Sequence, residues 1–167
     1  MNYLNIFRND YKFYRSPIRW IKTSLRNIKY AWQRAVRGYS DYDLFDLDSF
    51  YEHLFVESLR DFARTTISYP GVAPFETSEK WESYVWEIAQ HFYNSIESNE
   101  VFKNEWEDRY FADLGFEKSG ARIVDDLTPD EVHKNYYERE KEIYKKRDQE
   151  RDLAFEMLKE VFGNLWI

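Results

Sequence analysis

Few side chains in this sequence are of the types that perform catalysis. Cysteine is absent, which excludes a thiolate nucleophile, a thiolate metal site and a disulfide framework. The histidines are His53, His91 and His133. His53 and Glu57 stand four residues apart, and so do Glu87 and His91. On helices that spacing places each pair on one side. Two antiparallel helices bringing the pairs together would offer two imidazoles and two carboxylates to a divalent metal. A metal-dependent helical-bundle enzyme is therefore one reading. The preferred reading is plainer: surface pairs or core-edge histidines with ordinary hydrogen bonds, which arise easily in a chain that is 33% charged. Glu97 and Glu100 by themselves do not make the paired acidic motifs of helical nucleotide pyrophosphohydrolases. Neither a phosphate-cradling glycine loop nor a nucleophile elbow is present. The chain reads as non-enzymatic, with no cofactor and no resident metal expected.

A second group of candidates is basic. Arg15, Arg19, Lys22, Arg26 and Lys29 recur at steps of three and four, and Arg34 and Arg37 continue the series. Bases so spaced on one helix face can neutralise successive phosphates of a nucleic acid, with Tyr11, Phe13, Tyr14 and Trp20 available to stack on bases. The same face can meet an acidic protein, or simply solvate a helix resting on an acidic body. Binding to a membrane surface ranks lower, and no membrane partner is expected, because folding is expected to use the apolar face of that helix.

Acids follow at once. Asp41, Asp43, Asp46 and Asp48 lack the central glycine and terminal glutamate of a calcium-binding loop. They are expected to cap a helix start, where the helix dipole favours negative charge. The segment from 97 to 131 is acidic as well, carrying eleven acids against Lys103, Arg109, Lys118 and Arg122. Such a surface can occupy a groove meant for nucleic acid, although an ordinary solvated face is the simpler reading.

These residues need elements to position them, and composition bounds the choice. The 167 residues include 6 Trp, 14 Tyr and 13 Phe, too much aromatic surface for a disordered chain. With only 5 Gly and 4 Pro, long charged helices are favoured over strands. The net charge of -7 divides into +8 over residues 1–40 and -15 over the remainder. No apolar run approaches the roughly 20 residues that span a bilayer. The opening residues lack the apolar stretch of a secretory signal, so the expected location is cytoplasmic.

The spacing predicts an all-α fold, a single helical bundle over residues 1–167. Residues 1–15 would be a basic arm, and 97–127 an irregular or mobile insertion. Ser16-Pro17 starts the first helix, and Gly38 ends it. Along it Ile18, Ile21, Leu25, Ile28, Trp32 and Ala35 share one face, a quarter-turn from the bases. Ser40 and Asp43 form a capping-box-like pair before a short irregular turn. A second helix runs to about Thr65, with Leu47, Phe50, Leu54, Ser58 and Phe62 inward. Pro70-Gly71 suits a type II turn. A third helix begins near Thr77 or Ser78 and carries the stripe Trp81, Tyr84, Val85, Ile88, Phe92 and Ile96. One short helix is expected near Trp106 to Leu114. Thr128-Pro129 then opens a long helix reaching about Phe162, stopped by Gly163. Its middle, Glu138 to Arg151, is predicted to project into solvent or meet a partner, before Leu153, Met157, Leu158 and Val161 return to the core.

The segments RNIKYAWQRAVRGYSDYDLFDLDSFYEHLFVESLRDFA, SYPG, TSEKWESYVWEIAQHFYNSIESNE and EMLKEVFGNLWI resemble a family of small proteins of tailed phages infecting Gram-positive bacteria. RGYSDYDLFDLD, SYPG and the terminal NLW carry the likeness most specifically. It covers about residues 22–100 and 150–167 and brings no catalytic or binding residue with it. What it implies is context: a phage accessory product in the bacterial cytoplasm, of a kind that binds and redirects a host factor, such as an antiviral-defence nuclease or its nucleic acid complex. The oligomeric state stays open. The alternatives are a nucleic-acid-binding module using the basic helix 15–37, and the metal enzyme described above.

Overall fold

The computed structural model describes residues 14–113 and 129–165. Five α-helices account for most of them: α1 (Pro17–Arg37), α2 (Leu47–Thr65), α3 (Ser78–Ser95), α4 (Glu107–Asp113) and α5 (Pro129–Val161). No strand occurs among the described residues, so the chain is all-α. Three single 3-10 turns link or finish the helices, at Asp43–Phe45, Glu97–Asn99 and Phe162–Asn164.

Local chemistry accounts for the boundaries. Pro17 occupies the first position of α1, where its missing N–H costs nothing. Gly38 ends the helix in the left-handed region at φ 84°, and its N–H donates to the Arg34 carbonyl. Thr77 caps α3 by accepting a hydrogen bond from the Lys80 N–H. Gly71 has φ 71°, the sign that a type II turn needs after Pro70.

The core is built by α2, α3 and α5, with α3 between the other two. Trp81, Val85, Ile88 and Phe92 on α3 are fully buried, and Ile96 nearly so. Their steps of three and four put all five on one stripe, so this helix buries the face its spacing dictates. Phe92 packs against Phe55 of α2 and Phe155 of α5, each ring centroid 5.0 Å away. Tyr84 joins α3 to α5 by donating to Glu160 at 2.9 Å. Burial and that carboxylate together push its hydroxyl pKa up to about 12.

Two inward faces differ from expectation. On α2 the buried residues are Phe50, Glu52, His53, Val56, Leu59 and Ala63, whereas Leu47, Leu54 and Ser58 are exposed. At about 100° per residue, the inner face is turned by roughly half a revolution from the predicted one. Both sides of α2 carry large apolar groups, and the seam with α3 selects the side of Val56, Leu59 and Ala63. Glu52 is buried there because Arg151 of α5 pairs with it. On α5, Ala154 takes the core position and Leu153 stays exposed, while Leu158 and Val161 are buried and Met157 packs at the edge.

The middle of α5 does not stand free. Ile143 and Arg147 are buried beneath the segment around 97–106. Arg147 reaches Glu97 at 3.9 Å, Arg139 reaches Glu105 at 3.0 Å, and Asn104 bonds Glu140 and the Tyr136 carbonyl. Only the outer side, including Lys141, Tyr144 and Lys145, faces solvent. Next to it, Tyr110 of α4 stacks on Tyr136 with centroids 4.0 Å apart. Residues of the expected irregular segment before 114 thus contact α5, and residues 114–127 of it lie outside the described residues. The basic arm at 1–15 also lies outside them, except for Tyr14 and Arg15.

Candidate docking surface on the first helix

α1 contributes no buried residue. The apolar face predicted to be consumed by folding is bare: from Ile18 to Val36 its large side chains expose between 48% (Ile21) and 70% (Ile18 and Trp32) of their surface. The reason lies in which side of α1 meets the rest of the molecule. Thr23, Ser24, Asn27, Tyr30, Ala31, Gln33 and Arg34 are the half-buried residues, all but Gln33 on one polar and small side. On a helical projection that side is centred roughly 140° from the apolar stripe. The bases Arg19, Lys22, Arg26, Lys29 and Arg37 lie between the two, on the third side.

What holds α1 is a polar latch at its C-terminal end. Arg34 reaches the fully buried Asp43, with Nε 2.8 Å from Oδ2. The same oxygen accepts from the Ser40 N–H at 2.7 Å and from its hydroxyl at 2.9 Å. Burial alone would push the Asp43 carboxyl up, but the Arg34 guanidinium and the two Ser40 donors outweigh it and hold the pKa below the usual range. Asp41 accepts from Gln33 at 2.6 Å and from Lys29 at 2.9 Å, and pairs with Arg37. Those donors, Gln33 first, hold its carboxyl far below the ordinary value. The rings of Tyr30 and Tyr42 meet at 5.8 Å.

The aspartate cluster is therefore only partly a cap. Asp43 does reach back to the Ser40 N–H as a capping box requires, and Asp46 occupies the N-cap position of α2. Asp41 and Asp43 also act over a longer range, pinning the preceding helix through Lys29, Arg34 and Arg37. Spacing within the cluster carries no sign of that partnership, since it depends on the chain reversing at Gly38.

The predicted stripe of bases divides accordingly. Lys29, Arg34 and Arg37 belong to the latch. Arg19, Lys22 and Arg26 are exposed, and among the described residues no ion pair reaches them. Arg15 is exposed too, beside the ring of Tyr14.

The four candidate metal ligands do not converge. His91 turns to α5, where its Nδ1 lies 2.7 Å from Glu150, while Glu87 is 4.0 Å from its other nitrogen. His53 is buried on α2 and its Nδ1 lies 2.8 Å from the Ser49 carbonyl oxygen of its own helix. Glu57 points to solvent. Among the described residues, no three His, Asp or Glu side chains gather as a metal would need.

Comparison with known proteins adds no relative: the chain matches no protein-family model, no curated protein and no solved structure. Among the described residues, no helix is long and apolar enough to cross a membrane.

Proposed function

We propose that this protein acts by binding rather than by catalysis, that α1 is its docking element, and that the bundle engages a factor of an infected bacterial host. The observation that carries the reading is the outward apolar stripe of α1 beside the free bases Arg19, Lys22 and Arg26. Exposed apolar surface that is contiguous and rimmed by charge marks an interaction site. The phage resemblance supplies the context, an accessory product that redirects a host protein such as a defence nuclease. A helix built to track a nucleic acid backbone has no use for an uncovered row of Ile, Leu and Trp, so the nucleic-acid module is the weaker reading.

A pull-down of tagged full-length protein from host lysate, with and without nuclease digestion, tests this. The expected result is one host protein retained after nuclease. Recovery that vanishes with nuclease would make nucleic acid the ligand and overturn the proposal.

A further inference from the structure

The stripe and the bases of α1 invite the question of what covers them. Residues 17–37 hold six bases and no acid. The helix is 21 residues long, about 31 Å at 1.5 Å per residue. Its apolar side consists of Ile18, Ile21, Leu25, Ile28, Trp32 and Val36, all outward. From these observations we infer that α1 lies in the interface of an anionic lipid membrane, apolar side down, with the bundle held above it. The inference rests on α1 being the docking element and not on any host protein being bound.

Three features favour lipid over other occupants. Basic amphipathic helices with Trp, Leu and Ile on the apolar side are the type that settles at the boundary of headgroups and acyl chains. Lys and Arg can run their methylene stems along that boundary while their charges reach phosphates. Lys22 flanks the stripe directly, Arg26 and Arg19 stand further round on the same side, and Lys29 on that flank is held by Asp41. A continuous anionic plane is met first by Lys22, and the long side chains of Arg26 and Arg19 can reach down to it from further round.

The attachment geometry also fits. The half-buried polar side of α1 faces away from the stripe, and of the latch only Lys29 stands at its edge, so a flat surface can approach the stripe while Gln33, Arg34 and Arg37 stay in place. Residues 41–167 carry a charge of -15. An anionic surface repels that part and attracts α1, which fixes the orientation. A second copy of the chain is the competing occupant, because the steps of three and four also suit a helix seam. Pairing two copies would join two acid-free helices that each carry Arg19, Lys22 and Arg26 without an ion pair among the described residues, so neither offers the other a counter-charge.

Flotation of the purified full-length protein with vesicles tests the inference. The vesicles are phosphatidylglycerol mixed with phosphatidylcholine, and phosphatidylcholine alone. Co-flotation is expected with the mixed vesicles, falling by about tenfold or more with phosphatidylcholine alone or at high salt. Lys22→Glu with Arg26→Glu should remove the dependence on anionic lipid. Ile21→Glu with Ile28→Glu should abolish flotation while leaving circular dichroism and the melting temperature unchanged, because both side chains are exposed.

Wild-type protein that fails to float overturns the inference, as does flotation that survives the two isoleucine substitutions. A dimer in light scattering that those substitutions make monomeric would assign the stripe to a second copy. Loss of a host protein from the pull-down in the same variant would assign it to that protein. A pull-down that succeeds while flotation fails leaves the binding function standing and removes only the lipid.

Discussion

Asp43 concentrates several physical effects in one carboxylate. It is fully buried, yet it keeps its charge because Arg34 and both donors of Ser40 surround it. Replacing it with Asn leaves Arg34 without its counter-charge and weakens the Ser40 contacts. With Arg34 partly open to solvent, we expect a cost on the order of 2 kcal/mol, read by urea denaturation. The sign of the pH dependence follows from its lowered pKa. Stabilisation by Asp43 is fully present above the ordinary aspartate value of 3.8 and is lost as pH falls through the lower folded value. Below about pH 4, protection of the Ser40 amide against hydrogen exchange should fall before that of the α3 amides does. A second residue-scale test concerns Glu150, which accepts from Asn94 at 3.0 Å and lies 2.7 Å from His91 Nδ1. Glu150→Ala should destabilise the α3–α5 seam by about 1–2 kcal/mol in the same assay.

Two helices with equally regular apolar spacing have opposite fates, and single substitutions should separate them. On α3 the stripe is buried, so Ile88→Ala should cost about 2–5 kcal/mol, part of it from the cavity left behind. On α1 the stripe is exposed, so Leu25→Ser should change stability by no more than about 0.5 kcal/mol. Thermal and denaturant melts of the two variants check this directly. Equal losses would mean that α1 is packed on the core. The spacing that defined both helices is the same signal, because an amphipathic pattern reports a helix with an apolar side and not the identity of what covers it.

For the molecule as a whole, α2, α3 and α5 close a core to which α1 adds nothing buried. A chain beginning at Tyr39 should therefore still unfold cooperatively, with Asp43 released to water once Arg34 is gone. Calorimetry of that fragment checks the point, and loss of a cooperative transition would contradict it. The charge division has a structural counterpart too. The bases that remain free stand near the N-terminal end of α1, while those at the other end are neutralised by Asp41 and Asp43.

Much of this was determined by sequence alone. Pro17 and Gly38 bound α1, Thr77 begins α3, the stripe from Trp81 to Ile96 names the central core helix, and low glycine and proline content yields an all-α chain. Those features are local, set by backbone conformation and by periodicity within one helix. Only the tertiary structure decided which side of α2 turns inward, that Ala154 rather than Leu153 enters the core, and that His91 meets Glu150 instead of the His53 side chain. It also decided that α1 is held at its C-terminal end by Asp41 and Asp43 and leaves its apolar side bare. Each of these is a competition between alternatives that look alike in one helix. Each is settled by contacts between residues distant in the chain, such as Glu52 with Arg151, and by the reversal at Gly38 that brings Arg34 to Asp43.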